Sequence, residues 1–168
     1  MTVKSLRLFS LLPFLTIVAF IAYALYSQYY LYLLPCPLCM VQRYIFISIG
    51  ILFLITFVFN PKRWGRKVFA VLISILSIFG IFVASRHVWI QSLPADQVPE
   101  CGPGLDYMIE AFPLSEIIKE LLHGSGDCHE VVWRFLGLSM PSWSLICFIG
   151  FFIYTILWTT LKQKNDYE

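Results

Sequence analysis

Apolar residues run almost unbroken along this chain, and polar ones gather in a few short intervals. Four apolar runs lie at about residues 8–27, 38–59, 68–90 and 143–161. Each is close to the roughly 20 residues that a helix needs to cross a hydrocarbon core. Lipid cannot satisfy open backbone groups, so a span is either a helix or part of a closed barrel. Barrel strands alternate apolar and polar positions. These runs do not alternate, so the pattern predicts helices. The expected fold is an all-α membrane protein, a four-transmembrane-helix bundle filling residues 1–168 as one domain. It has a short outer loop at about 28–37 and a long one at about 91–142. Within the long loop, Ser115–Leu122 reads as a short amphipathic helix, with Ile117, Ile118, Leu121 and Leu122 on one face.

Composition agrees. The chain is 59% hydrophobic and only 13% charged, with a mean hydropathy of +0.77, which excludes an ordinary soluble domain. The first run has features of a secretory signal, with Lys4 and Arg7 ahead of it and Ala22-Tyr23-Ala24 in a cleavage-like place. But it continues past that point to Leu34, so it is expected to remain as a span.

The polar intervals orient the bundle. Lys4 and Arg7 precede the first run, Lys62, Arg63, Arg66 and Lys67 crowd the second link, and Lys162 and Lys164 follow the last run. Basic residues mark cytoplasmic segments, which predicts cytoplasmic termini and outer-facing first and third links. From Gln91 to Met140 there are eight acidic residues against Lys119 and Arg134, in agreement. The net charge of +2 therefore records topology and does not point to nucleic acid. Tyr26, Tyr29, Tyr30 and Tyr32 read as an interfacial aromatic belt.

Four of the five cysteines then face the compartment where disulfides persist. Cys36 and Cys39 stand two apart at the outer start of the second run, in Pro35-Cys36-Pro37-Leu38-Cys39, while Cys101 and Cys128 lie in the long outer loop. Proline suits the first turn of a helix, so Cys36 is expected near the N-cap and Cys39 in the first turn. There the helix dipole favours an anion, and the thiolate is the nucleophilic form of cysteine. Arg43 follows Cys39 at i+4 and shares its face. A charge inside a span marks function by default; its rival reading is a side chain snorkelling to headgroups. By topology His87 stands level with this pair, and on position alone it either hydrogen-bonds a carbonyl ligand or is a histidine solvated or bonded to backbone. Cys147 lies inside the fourth run and reads as packing. A zinc site made from Cys36, Cys39, Cys128 and His129 is the competing use of these atoms. It lacks the second close-spaced pair usual in such sites, so no metal is expected; His123 and His129 read as surface residues.

Together these residues resemble the disulfide bond formation protein B family, quinone-dependent thiol oxidases of the bacterial inner membrane. The resemblance rests on Cys36-Pro37-Leu38-Cys39 with Gln42-Arg43, on Arg86-His87, on Cys101, and on Ser125-Gly126-Asp127-Cys128. It also rests on Trp133-Arg134-Phe135-Leu136-Gly137-Leu138 running into Met140-Pro141-Ser142-Trp143. It covers essentially the whole chain and departs at Gly102-Pro103-Gly104 after Cys101.

The resemblance implies that Cys36, Cys39, Cys101 and Cys128 are catalytic. Cys101 would receive the attack of a periplasmic DsbA-like, thioredoxin-fold partner, and Cys128 would pass the exchange to Cys36. Cys39 would stand beside a ubiquinone or menaquinone, with Arg43 and His87 binding it. Two rivals stay open. One is a four-span scaffold with structural outer disulfides, although a Cys-x-x-Cys loop is too small to stabilise much. The other is an enzyme like the vitamin K epoxide reductases, in which the close pair normally follows the last long apolar stretches.

Overall fold

The computed structural model describes residues 3–33, 35–94, 113, 128–129, 131 and 133–165. Cys101, His123, the expected helix at Ser115–Leu122 and the Gly124–Asp127 turn lie outside them. Four helices carry the described fold: α1 Val3–Tyr30, α2 Pro37–Phe59, α3 Arg63–Gln91 and α4 Met140–Asn165. Each contains a segment long and apolar enough to cross a membrane: Phe9–Tyr30, Pro37–Phe59, Trp64–Gln91 and Met140–Thr159. The first and third spans extend beyond the boundaries expected from hydropathy, and the fourth starts three residues early. Pro141 falls in the first turn of α4, where proline is tolerated, so the helix begins at Met140, after polar Ser139, and not at Trp143.

The helices pack in sequence order, α1 on α2, α2 on α3 and α3 on α4. Aromatic rings hold the middle: Phe46 stacks on Phe148 with centroids 4.3 Å apart, on Phe20 at 5.6 Å, and meets Phe151 edge-on at 6.1 Å. Ile49, Ile73 and Phe53 are fully buried beside them. Because lipid is as apolar as these side chains, close packing and dispersion hold such a bundle together. Gly80 shows how close the approach is, since a Cβ there would lie 2.6 Å from the Phe148 ring. Outward positions such as Leu12, Ile51, Ile75 and Ile153 are exposed and apolar, as lipid-facing residues must be. The four outer tyrosines of the first run are also exposed.

A two-stranded antiparallel hairpin, β1 Arg134–Phe135 and β2 Leu138–Ser139, leads into α4. Its turn holds Leu136 at φ 51° and Gly137 at φ 82°. Trp143 Nε1 donates to the Phe135 carbonyl at 3.1 Å, and Ser139 Oγ donates to Gln91 Oε1 at 2.7 Å. The hairpin is thereby fastened to the starts of α4 and the end of α3, beside the N-terminus of α2.

Candidate active site

The site begins at the N-terminus of α2. Cys36 is the N-cap, in extended conformation, and Pro37 follows in the first turn. The Cys36 sulfur takes the usual place of a capping oxygen and accepts from the Cys39 backbone N–H at 3.4 Å. The cap position thus aims Cys36 across the helix end, while Cys39 projects from the first turn.

His87, on α3, closes over this end and is only 1% exposed. Its Nε2 lies 3.7 Å from Cys36 Sγ and 3.2 Å from the Cys128 carbonyl oxygen, and its Nδ1 lies 3.1 Å from Gln42 Nε2. With the Gln42 amide donating to Nδ1, the neutral ring carries its proton on Nε2 and donates it to Cys128. That bond anchors Cys128, itself buried, so that Cys36 Sγ, Cys128 Sγ and His87 Nε2 all lie within 4.8 Å of one another. The structure carries Cys36, Cys39 and Cys147 as thiols. Hydrogen bonding with Cys128, then with Cys39, and then burial hold the Cys36 thiol well above its ordinary range.

On the other side of Cys39 opens a cavity of about 410 Å³, a size typical of small-molecule sites. Cys39, Gln42 and Arg43 form its polar wall on α2; Phe20, Tyr23, Trp133, Phe135 and Trp143 supply aromatic walls. Trp133 and Phe135 stack nearly parallel at 6.0 Å, with Tyr23 5.5 Å from Trp133. Arg43 donates to the Gln28 side chain and, at 3.2 Å, to the Ala24 carbonyl on α1. Its guanidinium is therefore tied to α1 along the cavity wall. A flat, apolar ring bearing carbonyls fits this set of residues: aromatic faces to stack on, a cation for an oxygen, and a thiol at the edge.

The residues singled out from the sequence fall on both sides of Cys39. His87 does not line this cavity; it stands behind Gln42, on the thiol side. Gln42 touches both His87 and the cavity, and sequence reasoning gave it no role. Its spacing of three from Cys39, on the same helical face, was the available signal. Trp133, Phe135, Trp143 and Tyr23 were also missed as wall residues. His129 does not join the thiols, since its Nε2 meets the Leu93 carbonyl at 3.1 Å; His87 takes the place given to it in the expected rival zinc set. His129 is also half-buried rather than a plain surface residue. Cys147 is half-buried against the core, as expected. Cys101 lies outside the described residues.

Comparison with known proteins is consistent along the chain. Residues 6–158 match the family described as Disulfide bond formation protein DsbB. The chain is 53% identical over 124 residues to Disulfide bond formation protein B of Hahella chejuensis, covering 74% of this chain and 73% of that one. It is 45% identical over 157 residues to the protein of the same name from Methylococcus capsulatus, covering 94% and 96%. A Psychrobacter protein of that name is 44% identical over 156 residues, covering 89% and 90%.

Proposed function

The chain belongs to the disulfide bond formation protein B family, a multi-pass membrane oxidoreductase of disulfide formation, and from that premise we propose how it works: it oxidises a DsbA-like dithiol partner and hands the electrons to a membrane quinone. The scaffold and vitamin K epoxide reductase-like readings find no support in that membership. The observation that carries the proposal is the meeting of Cys128 with Cys36 beside His87.

Cys36 is only 7% exposed, so a folded partner has poor access to it, whereas a cysteine of the chain's own outer loop already packs there. This favours a relay. A partner thiolate attacks Cys101 of the Cys101–Cys128 disulfide, and Cys128 leaves as thiolate. Cys128 attacks Cys36 of the Cys36–Cys39 disulfide, and Cys39 leaves as thiolate. The partner's second thiol displaces Cys101, completing the partner disulfide. Cys101 then attacks Cys128, restoring the loop disulfide and freeing Cys36. The short pair is left holding two electrons and two protons. Each exchange depends on thiolate fraction, leaving group and access. His87 keeps the Cys128 backbone against Cys36 by its Nε2 bond.

Cys39 faces the cavity with Arg43 and Gln42. A quinone bound there supplies the acceptor for the two electrons and two protons. Arg43 would hold one of its oxygens and stabilise the negative charge that develops there; the aromatic walls would orient its ring. The basic residues of the middle link favour a relay on the periplasmic side of the bacterial inner membrane, with both termini cytoplasmic. The apolar cavity suits ubiquinone and menaquinone alike.

The test is oxygen-free turnover. Detergent-purified protein, a soluble quinone and a reduced DsbA-like protein are mixed, and quinone absorbance is followed. Wild type is expected to consume quinone catalytically and Cys39→Ala to consume none. Folded wild type that turns over no quinone at all would remove the proposal.

A further inference from the structure

The three groups that bring the thiols together also have the make-up of a metal site. We infer that the reduced protein binds one thiophilic divalent cation, of the zinc and cadmium class, through Cys36 Sγ, Cys128 Sγ and His87 Nε2, and that the bound ion blocks the relay. The blocking part rests on the proposed Cys128-to-Cys36 exchange; the binding part does not.

Distances support it. Zinc bonds to sulfur at about 2.3 Å and to imidazole nitrogen at about 2.0–2.1 Å, so tetrahedral ligands of the two kinds lie about 3.6 Å apart. Cys36 Sγ and His87 Nε2 are already 3.7 Å apart, with Cys128 Sγ within 4.8 Å of both. Only the second sulfur has to close in, by about 1 Å at most. Cys39, on the first turn beside Cys36, or a water completes four ligands.

The surroundings are also those of a metal site. A ligating histidine usually donates its other ring N–H to an acceptor that fixes its tautomer. Gln42 stands 3.1 Å from Nδ1, and a half-turn of its amide presents the oxygen instead of the nitrogen. The same glutamine thus serves both tautomers: Nε2–H bonded to Cys128 without the ion, and Nδ1–H bonded to Gln42 with it. Two thiolates and one divalent cation sum to zero charge, which a buried cluster tolerates far better than a lone ion. All three ligand residues are buried.

The chemistry makes binding depend on redox state. Loading releases one proton from each thiol and moves no electrons. A sulfur tied in a disulfide has no thiolate to offer, so the fully oxidised protein lacks both sulfur ligands. The ion therefore selects the reduced form and withholds the sulfurs that the exchange needs. Inhibition is expected to deepen when dithiol partner outruns quinone.

The experiment is an anaerobic titration of reduced and oxidised full-length protein in detergent with cobalt(II), then zinc(II). Cobalt reports tetrahedral thiolate ligation by its visible bands, and zinc is followed by competition with a chromogenic chelator. One ion per reduced chain and none per oxidised chain is expected. His87→Ala and Cys128→Ser should each weaken binding at least about tenfold, and Gln42→Leu by a similar factor through the ring it orients. Cys39→Ser should retain the ion, and it covers the case in which the His87 variant fails to fold. Equal binding by oxidised protein, loss of all binding in Cys39→Ser, or unchanged affinity in both His87→Ala and Cys128→Ser would overturn the inference; the last would leave the Cys36/Cys39 pair as a simple chelator. Protein that turns over quinone yet binds no ion defeats this inference alone. Protein that binds the ion yet turns over no quinone defeats the oxidase reading and with it the blocking part, and leaves the binding part standing.

Discussion

Arg43 carries a charge nearly two turns inside a membrane-spanning helix, where it is costly unless bonded or used. Its bonds to Gln28 and Ala24 meet part of that need, and its place on the cavity wall beside Cys39 supplies a task. Replacing it with Met keeps an unbranched, shorter apolar stem and removes the cation. The expected loss is about 10²-fold in quinone reduction, the scale of one lost donor to a developing oxyanion. Arg43→Lys should recover only part, because a point charge does not reproduce the planar fork. Stopped-flow absorbance with the Cys36/Cys39 pair already reduced measures this, and an Arg43→Met rate within twofold of wild type would remove the role. Cys36 offers a second check. Its neighbours and burial hold the thiol protonated, so its thiolate fraction at a given pH is lower than that of free cysteine. Alkylation of Cys36 in reduced protein, followed by mass spectrometry, should therefore rise only above the ordinary thiol range, about pH 8.5. A midpoint at or below that of a cysteine peptide would contradict it. The folded protein keeps this thiol's full contribution to stability below that pH and loses it as pH rises through the raised value.

Helix α2 illustrates what an element contributes. Its proline-flanked start was legible residue by residue, because Pro37 can enter only the first turn and Cys36 then has to cap. The hairpin before α4 was not. Two-residue hairpins favour Asn-Gly or Asp-Gly at left-handed positions, and here Leu136 occupies the first of them at φ 51°. The strands are two residues each, too short for alternation to show. The indole of Trp143 on α4 and the side chain of Gln91 on α3, which accepts from Ser139, hold the hairpin from elsewhere in the fold. Packing of α3 on α4 depends on an absent side chain at Gly80. Gly80→Leu should drive a branched group into the Phe148 ring and cost about 1–3 kcal/mol, the usual scale of overpacking. Denaturant unfolding in detergent micelles would read it, and an unchanged midpoint would mean the two helices are not that close.

At the scale of the whole molecule, the bundle sets a thiol cluster and an apolar cavity on opposite sides of Cys39, with Gln42 between them. This division explains why His87, though level with the pair as the topology implied, meets the sulfurs instead of the cavity. Orientation in the membrane belongs to this scale too. Trp64, in the basic link, is 80% exposed. In a Trp64→Cys variant, a membrane-impermeant maleimide is expected to label that position only after spheroplasts are broken open. Labelling of that position in intact spheroplasts would invert the topology and take the relay out of the oxidising compartment.

Hydropathy and charge placement by themselves determined four helical spans, because lipid leaves the backbone no cheaper way to cross. Local spacing determined the Cys36 cap and the shared face of Cys39 and Arg43, because both follow from one helix turn. The meeting of Cys128 with Cys36 was implied only by family resemblance, and the tertiary structure alone decided that His87 anchors it, that Gln42 links His87 to the cavity, and that Trp133 and Phe135 wall it. Those are contacts between side chains far apart in sequence, made where α2, α3 and the hairpin converge, and no local pattern records which distant residue will fill a given space.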